Sequence, residues 1–317
     1  MNVLVPAGPQ AAHIAALWWL TLALCALVFI VVLGVLAWGL WRAPRGDLLT
    51  PPDTTPAPDA EQRLRRRVTA AVAISTILLI GLLVASVATD RALAQLSLVD
   101  AVHIRVTAHQ WWWDVVYDDP EPERMFATAN ELRVPVGRPV IATLSSDDVI
   151  HSFWVPSLHG KKDVIPSRPA TIQLRADKPG VYHAPCAEYC GLEHAFMRFD
   201  VIALPPEEYE AWAEAQRKPA REPQDAAARR GQELFLSGSC MLCHAVHGTT
   251  ANARKAPDLT HVASRGQLGA GRLKNTPENL ADWIADPQKF KPGVNMPAHL
   301  LIEDDLKALV AYMETLR

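Results

Sequence analysis

The chain has 317 residues, enough for about two soluble domains, and its formal charge of −3 leaves no basic field of the kind that nucleic-acid binding needs. Half of its residues are apolar, but they crowd into residues 1–90. The five cysteines fall as two close pairs, Cys186/Cys190 and Cys240/Cys243, with Cys25 alone in an apolar run. That pattern argues against an even disulfide framework, and the His shortly after each pair points to metal or cofactor chemistry.

Residues 1–90 read as a two-helix transmembrane hairpin. Ala11 to Leu40 and Val68 to Ala88 contain no Asp, Glu, Lys or Arg. At about 1.5 Å per residue, each can cross a hydrocarbon core of about 30 Å. Trp18, Trp19, Trp38 and Trp41 suit the two interfaces. The connecting loop carries Arg42, Arg45, Arg63, Arg65, Arg66 and Arg67, whereas the N-terminal tail has no Lys or Arg. The positive-inside rule puts the loop in the cytoplasm and both termini outside. The middle of the loop, Thr50 to Pro58, reads as disordered. A signal peptide is the competing reading, but it wants a basic start, and Leu24 before Cys25 fits a lipoprotein signal poorly. Cys25 then serves as a small apolar side chain facing a neighbouring helix.

Residues 91–206 change to short alternating segments: Ala101 to Ala108, Asn130 to Val136, Val140 to Leu144 and Ala170 to Leu174. Turn signals at Gly137, Asp177 to Gly180 and Pro205-Pro206 separate them. Short strands with candidate ligands on the last inter-strand loop describe an all-β Greek-key domain. That loop, Tyr182 to Met197, holds Cys186, Glu188, Cys190, His194 and Met197. Thiolate, imidazole and thioether select copper or zinc. A blue-copper site needs one Cys, two His and a weak Met, so one Cys is surplus. Two thiolates four residues apart could bridge two coppers, each finished by a His, with Met197 and a main-chain carbonyl as weak outer ligands. Zinc or a disulfide fits the spacing alone as well. His151, after a strand and in an apolar setting, is the best second His; His103, His109, His159 and His183 are the alternatives.

Residues 207–224 read as a short helix, with Tyr209 and Trp212 on one face, followed by a flexible tether that would let the next domain swing. Residues 225–317 carry Cys240-Met-Leu-Cys243-His244, the C-x-x-C-H attachment motif of c-type haem, with His244 as the proximal ligand. A thioredoxin-like motif would not need the trailing His. Helices are expected over Ala226 to Phe235 and Asp304 to Leu316, with Met313 on the apolar stripe of the latter. Met296, on a Pro/Gly-bounded loop, is the choice for sixth ligand over His247, His261 and His299. Residues 90–206 hold 11 Lys/Arg against 15 Asp/Glu, and residues 225–317 hold 11 against 10, a weak bias toward docking of the two domains.

The combined segments resemble subunit II of the haem–copper cytochrome oxidases, with a class I cytochrome c domain fused at the C-terminus. The resemblance rests on His109-Gln-Trp-Trp-Trp113, Asp148-Val-Ile-His151-Ser-Phe-Trp-Val-Pro-Ser157, Gly160 to Pro166, Cys186 to Gly191 with His194 and Met197, and then Cys240 to His244, Ala256 to Thr260 and Asn295-Met-Pro297. It implies a cupredoxin fold holding the binuclear copper centre CuA. Cys186 and Cys190 would bridge the coppers, His151 and His194 would be terminal ligands, and Met197 and the Glu188 main-chain oxygen weak ligands. The Glu188 carboxylate would reach a magnesium ion shared with subunit I. Trp111 would be the aromatic through which electrons enter, and an all-α cytochrome domain would carry one covalent haem c.

The implied role is an electron-transfer subunit of a terminal oxidase, passing electrons through haem c and CuA to subunit I, where oxygen becomes water. The implied partners are subunits I and III and an external donor, either a soluble cytochrome c or a quinol–cytochrome c reductase. The implied setting is the bacterial inner membrane, with both sites on the periplasmic side. The same centre would suit a nitric oxide reductase subunit, or a membrane-anchored electron carrier. Two departures stand out. The family begins its second span with a Glu and Trp-Thr-x-x-Pro, where this chain has Arg65 to Ala73, and Glu61 is a doubtful substitute. The residues before the first Cys are Ala184-Pro185, with His183 nearby, and Pro185 removes a backbone donor.

Overall fold

The computed structural model describes residues 3–43 and 58–317. Arg45 and positions 50–57 of the stretch expected to be disordered lie outside the described residues, whereas Pro58, the last of that stretch, starts a helix. The chain divides into two units, Ala12–Leu96 and Met1–Ala11 with Ser97–Arg317.

The first unit is built from α1 (Pro9–Arg42) and α2 (Pro58–Ala94). A proline opens each helix, where its missing N–H is one that the first turn leaves unpaired anyway. Both exceed the ~20 residues a span requires. Phe29, Ile30, Leu40, Ile77 and Leu79 are exposed rather than packed within the chain, as befits surfaces that meet lipid. Two expectations change. Arg63, Arg65, Arg66 and Arg67 belong to α2 rather than to a loop, because arginine favours helix and Asp59 and Glu61 suit its positive N-terminal end. Cys25, expected to face a neighbouring helix, is exposed on α1.

The second unit begins with ten strands: β1 (Val102–His109), β2 (Trp112–Asp118), β3 (Phe126–Ala129), β4 (Glu131–Pro135), β5 (Val140–Ser146), β6 (His151–Phe153), β7 (Lys162–Val164), β8 (Ala170–Leu174), β9 (Gly180–Pro185) and β10 (Arg198–Leu204). They form a five-stranded sheet, β3-β2-β1-β5-β8, a three-stranded sheet, β4-β10-β9, and the β6-β7 ribbon. β1 runs parallel to β5, and β4 parallel to β10, so the chain must cross between sheets. This is the expected cupredoxin-like sandwich. Strand β1 alternates buried and open positions, and its inward residues Ile104 and Val106 join Trp113, Leu132, Leu144, Phe153 and Val201 in one core. The Tyr117 hydroxyl donates to the Arg133 carbonyl (2.7 Å) and accepts from the Arg133 N–H (2.8 Å), tying β2 to β4. Helix α3 (Pro206–Gln216) lays Trp212 against Tyr117 and Phe126.

The N-terminal segment clasps this β domain. Ala7 N–H donates to the Ser157 carbonyl at 2.7 Å, and Asp177 N–H to the Ala7 carbonyl at 2.8 Å. Gly8 lies so close to the Arg175 carbonyl that a Cβ would come within 2.0 Å of it.

The C-terminal domain consists of α4 (Ala226–Ser237), α5 (Pro277–Ala285) and α6 (Glu303–Thr315). Asp225 and Thr276 cap α4 and α5 by accepting from Ala228 and Asn279 N–H groups. Helices α4 and α6 cross at Gly231, where a Cβ would lie 1.9 Å from the Ala308 carbonyl. No other residue permits that approach.

The segment expected to swing is bound down. His261 Nε2 contacts the Gln216 and Lys218 carbonyls (3.2 and 3.1 Å), and Ala220 N–H donates to the His247 carbonyl (2.9 Å). The helical domain docks on the β domain by polar contacts that composition could not reveal. Gly266 N–H donates to Glu131 (2.6 Å), Gln267 Nε2 to Asp200 (2.7 Å), and Arg133 to the Ser264 carbonyl (3.2 Å). The Arg272 guanidinium lies 4.0 Å over the Phe196 ring.

Asp114, on β2, is half-buried at this seam. Burial pushes its carboxyl up to about 6, against the pull of Arg254 and Arg265. The folded protein therefore binds this proton more tightly than the unfolded chain, and the group's contribution to stability is lost as pH rises from its ordinary value toward 6. Asp114→Asn is expected to raise the thermal midpoint at pH 7 and to leave it unchanged below about pH 4. Melting curves of the full chain at both pH values check this; equal shifts at both would contradict it.

Candidate metal centre and haem cavity

The loop between β9 and β10 is closed at its base by Cys186 N–H donating to the Met197 carbonyl at 3.0 Å, and Ala187 N–H ties it to the Ser152 carbonyl on β6 at 3.1 Å. Those two bonds bring His151, at the start of β6, to the loop. Cys186 Sγ lies 3.9 Å from His151 Nδ1, 3.9 Å from Cys190 Sγ and 3.3 Å from the Glu188 carbonyl oxygen. Cys190 Sγ lies 3.6 Å from His194 Nδ1 and 3.8 Å from Met197 Sδ. All six residues named from the sequence thus bring one donor atom each to one place. His151, Cys186 and Cys190 are buried, with ligand atoms within 4.8 Å of one another.

The alternatives fare less well. Both cysteines are free, and their sulfurs are far beyond the roughly 2.05 Å of a disulfide. Six converging donors exceed the four positions of structural zinc, and a thioether and a carbonyl beside two thiolates suit copper. His183 is engaged elsewhere, its Nδ1 2.6 Å from Asp200 Oδ1, and His109 stacks on Trp112 with ring centres 4.3 Å apart.

Electrostatics favour anionic sulfur. The contact with Cys190 pulls the Cys186 thiol well below its ordinary value, while the same contact pushes Cys190 up. The metal-free pair shares one negative charge, and a bound cation would displace the second proton. Burial opposes charge on His151, but its contacts to Asp148 and Cys186 raise it overall. Asp148 is a residue whose part the sequence did not disclose. Its Oδ1 meets His151 Nε2 at 2.8 Å, which turns Nδ1 toward the sulfurs, and its Oδ2 accepts from Gln110 N–H at 2.6 Å. Trp113 packs edge-on to His151 with ring centres 6.0 Å apart, so this tryptophan is core. Glu188 is partly buried, and its carboxylate accepts from Tyr189 N–H at 3.1 Å.

Trp111 adjoins the metal loop directly. Its Nε1 donates to the Cys190 carbonyl at 2.9 Å, joined there by Gln110 Nε2 at 2.7 Å. Gly191, at φ +113°, is required here, since a Cβ would come within 3.1 Å of the indole.

On the other side of Trp111 lies a cavity of about 1030 Å³, counted with its open mouth. His244 and Met296 both line it, as do Leu268, Leu280 and Trp283. His244 Nδ1 lies 2.7 Å from the Pro257 carbonyl and donates to it, which leaves Nε2 for iron. Burial pushes His244 down, toward the neutral ligand form. Gln288 shapes the Met296 loop, donating to the Val294 and Met296 carbonyls at 2.7 and 2.8 Å. His247, His261 and His299 do not line the cavity; Met313, assigned to the core, does so as well as being buried. The free thiols of Cys240 and Cys243 flank a short turn that begins just after α4. An apolar cavity lined by His244 and the Met296 thioether fits a haem; Cys240 and Cys243, the thiols that would attach it, precede His244 in the chain but do not themselves line the cavity. Its far wall, from Gln110, Trp111, Trp112 and Asn130, belongs to the β domain. The tryptophan run marked Trp111 for electron entry, but nothing local marked it as a wall of this cavity, because the wall exists only where the two domains meet.

Residues 120–204 match the family described as cytochrome c oxidase subunit II, periplasmic domain, and residues 228–317 match cytochrome c. The chain is 42% identical over 219 residues to cytochrome c oxidase subunit 2 of Alkalihalophilus pseudofirmus, a match covering 69% of this chain and 62% of that protein. It is 34% identical over 264 residues to the subunit 2 of Bacillus sp. (strain PS3), covering 77% of this chain and 72% of that one. Among solved structures, the periplasmic domain of subunit II of cytochrome oxidase of Bradyrhizobium japonicum is 28% identical, with 38% of this chain and 97% of that chain covered and a TM-score of 0.35. On the strength of the match to the Bacillus protein, the chain belongs to the cytochrome c oxidase subunit 2 family.

Proposed function

We propose that this chain is the electron-transfer subunit of a terminal respiratory oxidase, carrying electrons from an external donor through haem c to a binuclear CuA centre and on to subunit I for reduction of oxygen to water. The observation that carries this is Trp111: its indole donates to the carbonyl of the metal-loop Cys190 and also lines the cavity that holds His244 and Met296. When bound, the haem and the copper pair supply reversible one-electron chemistry.

This chain's residues do the rest. Cys186, Cys190, His151 and His194 would be the strong ligands that hold the copper, and Met197 and the Glu188 carbonyl would be weak ones. Cys240 and Cys243 would attach the haem, and His244 and Met296 would ligate its iron. Burial of His151, Cys186, Cys190 and Met197 beside strands β6, β9 and β10 limits movement of ligands and water when charge changes, which keeps the barrier to electron transfer low. The Glu188 carboxylate, half-buried beside the metal loop, would be the group offered to a magnesium ion shared with subunit I.

The topology follows from the same residues. The N-terminal segment is hydrogen-bonded to the β domain, so both lie on one face of the membrane, and two spans connect them. That face is the periplasmic one of a bacterial inner membrane, opposite Arg42 at the end of α1 and Arg63, Arg65, Arg66 and Arg67 near the start of α2. Subunits I and III are the membrane partners, and a soluble cytochrome c or a quinol–cytochrome c reductase is the donor.

Purification of the intact complex tests the reading. Oxygen uptake with a haem-bearing, multispan partner present is expected. Negligible oxygen uptake beside fast nitric oxide reduction, or extraction of this chain alone in gentle detergent, would overturn it. Three substitutions should separate the centres. Cys186→Ser is expected to disrupt the copper pair and leave the haem attached. Met296→Leu should keep the haem covalently bound but shift its spectrum and potential; loss of attachment would contradict the assignment. Asp148→Asn should lower copper affinity by about 10–100-fold through a loosened His151, as read by titration against a chelator.

A further inference from the structure

One side chain of the helical domain reaches across the seam between the two centres. Lys291 is 1% exposed, the most deeply buried cationic group by surface among the described residues. Its Nζ donates to the Trp111 carbonyl at 2.6 Å and to the Gly269 carbonyl at 3.1 Å. The acidic group that faces it is Glu193, itself buried. A buried ammonium is costly to desolvate, and here its direct hydrogen-bond partners are main-chain carbonyls.

The position of Lys291 makes it informative. It lies on the loop that carries Met296, and Gly293 of that loop lies beside the six-membered ring of the same tryptophan. A Cβ on Gly293 would lie 3.4 Å from the Trp111 ring, and one on Gly191 would lie 3.1 Å from it. The indole is therefore held between the metal loop and the Met296 loop, with its own carbonyl fastened by Lys291. Trp111 is only 7% exposed beneath the docked domain.

We propose that Lys291 is a positioning residue for electron transfer between the two centres: by fastening the Met296 loop to the backbone of Trp111, it holds the indole in the gap between haem cavity and metal loop. This rests on the functional reading above. In the step, one electron is lost at the haem and gained at the copper pair; no bond forms or breaks and no proton moves. With Trp111 covered, an external donor cannot reach it and must deliver electrons at the helical domain.

The test uses the full-length protein in detergent, with haem reduced by a flash-excited ruthenium photosensitiser. Lys291→Met keeps the stem and removes the donor; Lys289→Met, at an exposed neighbouring position, is the control. Lys291→Met is expected to slow haem-to-copper transfer by roughly tenfold or more, with haem and copper spectra unchanged and Lys289→Met at the wild-type rate. Hydrogen exchange in the copper-free protein should rise at residues 109–112 and 288–294. A transfer rate within twofold of wild type overturns the proposal, and so does slowing accompanied by altered haem or copper spectra, which would mark a merely structural role. If Lys291→Met does not fold, Lys291→Gln is read by the same criteria. Absence of covalent haem or copper from the wild-type chain would instead sink the underlying reading.

Discussion

The carbonyl oxygen of Cys190 receives two hydrogen bonds, from Gln110 and Trp111, and the rest of the molecule depends on them. They fasten the turn between β1 and β2 to the loop that carries the sulfur ligands. The same turn supplies the far wall of the haem cavity. A short hydrogen-bonded contact thus does for two cofactor sites what neither domain could do alone: it sets one centre against the other through a single aromatic ring. Gly191 leaves room for that ring, since a Cβ there would crowd both the indole and Gln110, and Gly191 and Gly293 both take positive φ values that favour glycine.

The docking seam is polar and partly charged, with Glu131, Asp200 and Lys291 all buried. Such groups contribute little net stability, since desolvation offsets most of the attraction. What they supply is a single geometry, because a shifted docking would leave each of them buried without a partner. An apolar seam of equal area would tolerate sliding, and sliding would change the distance between the haem cavity and the metal loop. The cation over Phe196 and the bound-down linker act in the same direction, converting what reads as a tether into part of a fixed unit.

The sequence disclosed the parts whose chemistry is local. Soft ligands crowded between Cys186 and Met197, the haem attachment run at Cys240 to His244 and the uncharged spans each carry their meaning in a few adjacent residues. Strands β1, β5 and β8 were legible because their inner and outer positions alternate. Strand β2 was not, since Val115, Val116 and Tyr117 are buried in succession, which hides the period. The α2 arginines were misplaced into a loop because charge marked the membrane boundary but not the end of the helix. Asp148 and Lys291 escaped for a different reason. Their roles depend on partners far away in the chain or on a neighbouring ring nitrogen, and an Asp or a Lys has no local pattern that separates a fastener from a solvated surface charge.

The most direct test of the account is a metal and haem count with electron paramagnetic resonance on the purified full-length chain. The account requires two coppers and one covalent haem per chain, with one unpaired electron shared equally between two copper nuclei. A single copper with the electron localised on it, or zinc in place of copper, would contradict it.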